Sequence, residues 1–250
     1  MSDLGGCAPD RHAVFVGPGL HGVDIPASLL PALRPPIRDG DLAALPGSDR
    51  GGWTIAIIDG EFGQSLAVTV SEIRQTLAAG NRVIGGSSMG ALRAVECAPL
   101  GMVGVGWVYE RYRDGDLFSD AEVALTYDPD TFRPLTVPFV NLRWLASAHL
   151  PGLPMARWME EARRIHFRRR DLGTLRAMAV DVLPATFSAR LCSWLRPERL
   201  PCWDRKQHDA LAVVAALTSL PTVALRCRAA PKDIPPAVLG AAAPSTGPPL

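Results

Sequence analysis

Apolar residues in the first hundred positions fall into short continuous runs that end at glycine. Three of these runs are rich in valine and isoleucine: AVFVG (13–17), WTIAIIDG (53–60) and RVIGG (82–86). Such runs are typical of strands buried on both faces of a sheet. Between the last two, SEIRQTLAAG (71–80) has apolar positions one helical turn apart and Ser71 as a candidate N-cap. Strand and helix in alternation predict an α/β fold with a mostly parallel central sheet flanked by helices.

The second half of the chain has a helical pattern. Residues 157–178 form a basic helical stretch that we expect to break near Gly173, and KQHDALAVVAAL (206–217) indicates another helix. The last residues are rich in proline, alanine and glycine, which is typical of a disordered tail. The predicted organisation is a loose leader at 1–12, an α/β core at 13–128, a mostly helical region at 129–228 packed on that core, and a disordered tail at 229–250.

Composition and charge narrow the function classes. The net charge is +1, so no overall basic character indicates nucleic-acid binding. Five cysteines lack the spacing of a zinc site or a disulfide framework, no apolar run is long enough for a membrane span, and the N-terminal residues do not resemble a signal peptide. We therefore expect a cytoplasmic protein that binds no metal, cofactor, nucleic acid or membrane. Of the 26 basic residues, only Lys206 and Lys232 are lysines.

The turn GGSSMG (85–90) follows a predicted strand and precedes a predicted helix. Within it, residues 86–90 fit the G-x-S-x-G pattern of a nucleophile elbow, which makes Ser88 a candidate nucleophile. The Met89 amide would lie in the first helical turn and is a candidate oxyanion donor. A second donor could come from Gly19, after the first strand, or from the turn at 59–60. A purely structural turn and a phosphate cradle are the alternatives for this segment.

A nucleophilic serine needs a base, and histidine or lysine could supply it. His21, which follows the turn at 17–19, is the histidine best placed for that role. Lys206 opens an apolar helix, and Asp209 falls on the same helical face, where its carboxylate could hold the amine. The alternative for these two residues is an ordinary surface salt bridge. The other lysine, Lys232, lies in the predicted tail.

Several segments together resemble the TfuA-like proteins. VFVGPGL, IIDGEF, GGSSMGALRAVE, GMVGVGWVYERYRDG and DAEVAL follow one another in the order found in that family, and VNLR and KQHDAL come later. The resemblance is close over 13–125 and is carried afterwards by 138–143 and 206–211. The chain departs from the family at 118–122, where the usual acidic run is denser. His21 and the basic stretch have no counterpart in the family pattern.

The resemblance implies a function. TfuA-like proteins act beside YcaO enzymes, which use ATP to activate peptide amides so that sulfur replaces oxygen. The TfuA partner is understood to hydrolyse the C-terminal thiocarboxylate of a ThiS-like sulfur carrier, releasing sulfide, and to help the YcaO enzyme engage its precursor peptide. Its site is described as a Ser-Lys pair on a fold distinct from the α/β-hydrolases. Matched motif by motif, that pair falls on Ser88 and Lys206.

Three further features could contribute to such a site. Asp59 could orient the lysine or simply form an Asp-Gly turn. Arg93 could bind the thiocarboxylate or pair with Glu96 on its own helix. The glycines of GMVGVG (101–106) could line a channel for the carrier's thin C-terminal tail or allow close packing of a helix and a strand. The alternative function is a non-catalytic adaptor that enhances YcaO binding to its precursor peptide.

Overall fold

Five parallel strands form the centre of the described part of the chain, which confirms the predicted mostly parallel central sheet. The computed structural model describes residues 11–63 and 66–219. The strands lie side by side in the order β2-β1-β3-β4-β5, and every neighbouring pair is parallel. Their bounds are β1 Arg11–Phe15, β2 Leu33–Arg34, β3 Trp53–Ile57, β4 Arg82–Gly86 and β5 Val103–Val105. This all-parallel sheet is not the α/β-hydrolase sheet, in agreement with the predicted fold class.

The helices are concentrated in the second half of the described chain. Their bounds are α1 Val70–Ala78, α2 Met89–Cys97, α3 Trp107–Arg113, α4 Phe139–Trp144, α5 Ala156–Arg164, α6 Leu172–Val182, α7 Ala185–Trp194, α8 Leu200–Trp203 and α9 Arg205–Ser219. The helical C-terminal half is therefore confirmed. Its core includes the fully buried Trp158 and Trp203, and α4 packs against α9.

Both faces of the sheet are covered, which explains the continuous apolar runs. Alternate residues along β1, β3 and β4 belong to two different cores. On one face, Ile55 and Ile57 of β3 pack with α1 and α2. On the other face, Ala56 of β3 and Ile58, which follows it, pack with Val213 and its neighbours on α9. A strand that is buried on both sides has no polar face, so its sequence shows no period-two alternation.

Some predicted boundaries were wrong. Helix α1 is capped by Thr69, whose Oγ1 accepts from the Glu72 amide at 3.1 Å, so Ser71 lies inside the helix. The basic stretch breaks before Gly173, which lies inside α6. The reason is Asp171, whose Oδ1 accepts from the Thr174 amide at 2.9 Å and starts α6.

The predicted domain division concerns regions that the structure describes only in part. β1 begins at Arg11, within the predicted leader 1–12. The rest of that leader and the whole predicted tail 229–250 lie outside the described residues. The boundary at residue 128 stays a prediction.

The strand order determines where a site can form. From β1, the chain first adds β2 on one side of the sheet. It then crosses to the other side of β1 and adds β3, β4 and β5 in turn. In parallel sheets of this kind, the crevice at the carboxyl ends of the two strands flanking the reversal is the usual ligand site. β1 and β3 flank it here, and β4 is their neighbour. The loops after these three strands carry the predicted site residues Gly19, Asp59 and Ser88, and α9 carries Lys206.

Candidate active site

The turn after β4 places Ser88 at the N-cap of α2. Ser88 has φ −126° and ψ −118°, and Ser87 before it has a positive φ of 65°. Ser88 is only 2% exposed and lines a cavity at the carboxyl edge of the sheet. Although it occupies the capping position, its side chain makes no capping bond. Within the described part of the chain, its hydroxyl has no hydrogen-bond partner.

The glycines on either side of Ser88 are required by close packing. A Cβ atom on Gly90 would overlap the carbonyl oxygen of Ile57, and one on Gly86 would overlap the carbonyl oxygen of Val105. Both obstacles are backbone atoms of neighbouring strands, which cannot rotate away. The G-x-S-x-G pattern therefore marks a helix start pressed tightly against the sheet.

We expect Gly90→Ala to destabilise the fold by at least about 3 kcal/mol, because the new methyl group must displace β3 or α2. Gly173→Ala is the matched control, since it also places alanine in a helix and the new methyl group would meet a single side-chain oxygen, Asp171 Oδ1 at 3.0 Å, and no backbone atom of another segment. That control should stay within about 1 kcal/mol of the natural protein. Urea unfolding measures both, and equal stability of the two variants would contradict the packing explanation.

Lys206 reaches the same cavity from the first turn of α9. It is 3% exposed, and its Nζ donates to the Val123 carbonyl oxygen at 2.9 Å. The Asp59 Oδ1 atom lies 3.9 Å from Nζ. Burial lowers the pKa of Lys206, and the negative charges of Asp59 and Asp204 oppose that shift. Burial therefore makes the Lys206 amine easier to deprotonate than a lysine in water, and the deprotonated amine is the form that can accept a proton.

Ser88 and Lys206 line one cavity without being hydrogen-bonded to each other. The amine is directed to the Val123 carbonyl. In this conformation the two groups share a cavity but do not form a bonded dyad.

Asp59 is part of the site and is more than a turn residue. It is buried, and its Oδ2 accepts from the amides of Gly17 at 3.1 Å and Gly19 at 2.7 Å. The loop after β1 thus holds the carboxylate beside Lys206. The Gly19 amide is occupied by this bond, so Gly19 orients Asp59 and does not offer a free donor for an oxyanion.

Asp209 does not contact the lysine, so both interpretations of a Lys206–Asp209 pair were wrong. Its Oδ1 accepts from Arg205 Nε at 2.9 Å, and its Oδ2 accepts from the Val108 amide at 2.6 Å, which anchors the start of α3. Burial raises the pKa of Asp209. The spacing of Lys206 and Asp209 shows that they share a helical face. It does not show that each side chain binds a different distant segment.

Arg93 and His21 lie outside the cavity lining. Arg93 donates to the Val68 carbonyl at 2.7 Å and pairs with Glu96, which is the structural alternative given above. The Nδ1 atom of His21 lies 3.2 Å from the Thr131 carbonyl oxygen. Neither side chain is placed to act on Ser88 in this conformation.

Two backbone amides remain as candidate oxyanion donors. Within the described residues, the amides of Met89 and Gly60 have no acceptor, whereas the Gly90 amide donates to the Ile58 carbonyl at 3.3 Å. Gly60 lines the cavity. Met89 directs its side chain into the core, where it packs against Gly60. An unpaired amide at a helix start carries partial positive charge and favours a developing anion.

The cavity that Ser88 and Lys206 share has walls from several segments of the chain. It has a volume of about 980 Å³, and much of its wall comes from the segments 34–46 and 120–132. The glycines of GMVGVG do not line it. Gly104 packs against the Tyr109 ring and Gly106 against Asp209, so the packing alternative for that segment is the one observed.

Three groups that hold Lys206 were not predicted from the sequence. The Val123 carbonyl accepts from its amine, Ser87 donates to its carbonyl, and Asn141 accepts from its amide. The segment before Val123 is fixed by Glu122, which receives two 2.9 Å hydrogen bonds from Arg143. Ser87 and Asn141 lie in the quoted family segments GGSSMG and VNLR, and that membership was the only available indication.

The described residues hold neither a cluster of metal ligands nor a membrane-spanning helix. Over residues 11–63 and 66–219 there is no group of three or more histidine, cysteine or acidic side chains that could hold a metal ion. Within the same ranges, no helix has both the length and the apolar character that a membrane span requires.

Comparison with known families supports the resemblance drawn from the motifs. A family model described as TfuA-like protein matches residues 59–171. This range contains Asp59, Ser88 and Val123, and Lys206 lies beyond it. A comparison with curated proteins found no match.

Proposed function

We propose that this chain, a TfuA-like protein over residues 59–171, hydrolyses the C-terminal thiocarboxylate of a ThiS-like sulfur carrier and releases sulfide for YcaO-dependent thioamidation. The family match suggests a role beside YcaO enzymes in thioamidation. The observation that carries the finer proposal is the cavity shared by Ser88, whose hydroxyl is unbonded, and Lys206, whose pKa is lowered by burial. A free hydroxyl and an uncharged amine are the two groups that acyl transfer at a serine requires.

In the first step, the carrier's terminal carbonyl carbon lies next to Ser88 Oγ. Lys206 Nζ exchanges its bond to the Val123 carbonyl for one to Ser88 and removes the hydroxyl proton. The new C–O bond forms, the C–S bond breaks, and Lys206 passes the proton to sulfur. The products are the acyl-serine and hydrosulfide. Because hydrosulfide is a much weaker base than an amine, its departure needs no further acid.

In the second step, water attacks the acyl-serine. Lys206, uncharged again, removes a proton from the water, a C–O bond forms to the carbonyl carbon, and the bond to Ser88 Oγ breaks. Ser88 recovers that proton from Lys206, the second proton of the water is released to solvent, and the carrier leaves as a carboxylate. In both steps the unpaired amides of Met89 and Gly60 are the candidates to receive the negative oxygen.

The test is sulfide release from a purified carrier whose C-terminus is a thiocarboxylate. We expect catalytic release by the natural protein and none from the same carrier with an ordinary carboxylate. If the thiocarboxylate survives as long as it does without protein, the hydrolytic proposal fails.

The adaptor alternative is separated by a reconstituted thioamidation reaction. A hydrolase should support thioamidation by a YcaO enzyme with the thiocarboxylated carrier as the sole sulfur source, and Ser88→Ala should prevent it. A non-catalytic adaptor would give equal thioamidation with the natural protein and with Ser88→Ala when free sulfide is supplied, and none from the carrier with either.

A further inference from the structure

Two side chains from distant segments hold the backbone of Lys206. Ser87 Oγ donates to the Lys206 carbonyl oxygen at 2.8 Å, and Asn141 Oδ1 accepts from the Lys206 amide at 3.1 Å. Ser87 and Asn141 are both buried. The first of these bonds joins the turn that carries Ser88 to the helix that carries Lys206.

The serine at position 87 is unexpected on conformational grounds. Its φ of 65° lies in the left-handed region, which costs energy for every residue except glycine. Glycine already occupies the neighbouring positions where close packing demands it. A serine here retains the conformational cost, and what it adds is a hydroxyl directed at Lys206.

The bond from Ser87 is an addition to the ordinary helical bonding. A carbonyl at the start of a helix accepts from the amide four residues later, so the Lys206 carbonyl already has a partner within α9. Its second lone pair receives the Ser87 hydroxyl. Satisfying a helix end therefore does not account for this serine.

Asn141 binds the backbone amide of Lys206. The amides of the first helical turn have no partner within the helix, and Asn141 supplies one to Lys206. Its Nδ2 donates to Asp204 Oδ1 at 2.9 Å, and that same oxygen caps α9 by accepting from the Gln207 amide at 3.0 Å. Asn141 is thus fixed between the cap of α9 and the lysine.

We propose that Ser87 and Asn141 are positioning residues that set where the Lys206 amine stands relative to Ser88. This inference rests on the proposed function. Because no hydrogen bond joins Ser88 and Lys206 directly, their relative position depends on how the turn after β4 and the start of α9 are held together. Ser87 joins these two parts directly, although it lies 119 residues from Lys206 in sequence.

The informative variant is Ser87→Gly. It removes the hydroxyl and also the conformational cost, so the fold should survive, with a melting temperature within about 3 °C of the natural protein. We expect kcat for sulfide release to fall about tenfold or more, with KM nearly unchanged and with the pH profile displaced. Asn141→Ala should displace the profile as well.

Ser188→Ala is the matched control. Ser188 is a buried serine whose hydroxyl donates to the Ala185 carbonyl at 3.0 Å within α7, away from the cavity. It should leave kcat and the pH profile unchanged. A natural kcat and pH profile in Ser87→Gly would overturn the positioning role.

A second readout does not require activity. The chain has only two lysines, Lys206 and Lys232, so protein labelled with ¹³C at lysine Cε gives two assignable NMR signals. We expect Ser87→Gly to move the Lys206 signal and its titration, and to leave Lys232 unchanged. If the natural protein releases no sulfide, the proposed function fails, and the Lys206 signal alone then decides the positioning role. An unmoved signal would reject it.

Discussion

Ser88→Ala is expected to reduce the rate of sulfide release from a thiocarboxylated carrier by at least about 10³-fold. The reason is that, in the proposed mechanism, this hydroxyl forms the acyl intermediate. The fold should be unaffected. Because the Ser88 hydroxyl has no hydrogen-bond partner among the described residues, its removal leaves no polar atom unpaired.

The control for this variant is again Ser188→Ala, which removes a buried hydroxyl remote from the cavity. Circular dichroism and thermal unfolding should show that both variants remain folded. Sulfide release at the natural rate by Ser88→Ala would remove Ser88 from the mechanism, whatever its position in the turn.

Lys206→Met is expected to lower kcat for sulfide release by about 10²–10⁴-fold, the range typical of a lost general base. Methionine has a similar length and tolerates burial, so the cavity should keep its shape. The pH profile is part of the expectation. In the natural protein, activity should rise as Lys206 loses its proton, at a pH below the usual lysine range because burial lowers the pKa of Lys206.

The same substitution should change how stability depends on pH. The pKa of Lys206 is lowered from its ordinary value of 10.5, so between the lowered value and 10.5 the unfolded chain binds more protons than the folded one. Stability therefore rises with pH across that window, and below it the cost of burying the charge is fully present.

The Lys206→Met variant lacks the titrating amine, so its free energy of unfolding should rise less with pH. Urea unfolding of both proteins from about pH 6 to about pH 10 measures the difference, and most other titrating groups cancel in the comparison. Parallel curves for the two proteins would show that Lys206 is not destabilised as a cation.

The sequence was sufficient to predict β1, β3 and β4 and a mostly parallel sheet, whereas the short strands β2 and β5 were not predicted. Short valine- and isoleucine-rich runs that end at glycine fit few structures other than buried strands. Both faces of the sheet are covered, as expected for such runs. It was also sufficient to place Ser88 at a tight turn. Glycine at positions 86 and 90 indicates that a side chain there would collide with the backbone of a neighbouring strand. Features of this kind are encoded within short stretches of the chain.

The partners of the lysine could not be predicted in the same way. Lys206 and Asp209 share a helical face, yet the lysine contacts Val123 and Asp59 while Asp209 anchors α3. Helical spacing tells which side chains are neighbours, but it does not tell which distant segment passes beside them. For the same reason, the sequence did not predict that the Asp59 carboxylate accepts hydrogen bonds from the backbone amides of the loop after β1.

The most direct test of the central claim is the identity of the residue that becomes acylated. The protein is mixed with a thiocarboxylated carrier, quenched with acid within the first turnover, digested and examined by mass spectrometry. We expect the carrier's C-terminal residues to be attached through an ester to Ser88, and the adduct to be absent from Ser88→Ala. Sulfide release by the natural protein together with an adduct on a different residue, or an equal adduct in Ser88→Ala, would contradict hydrolysis through Ser88.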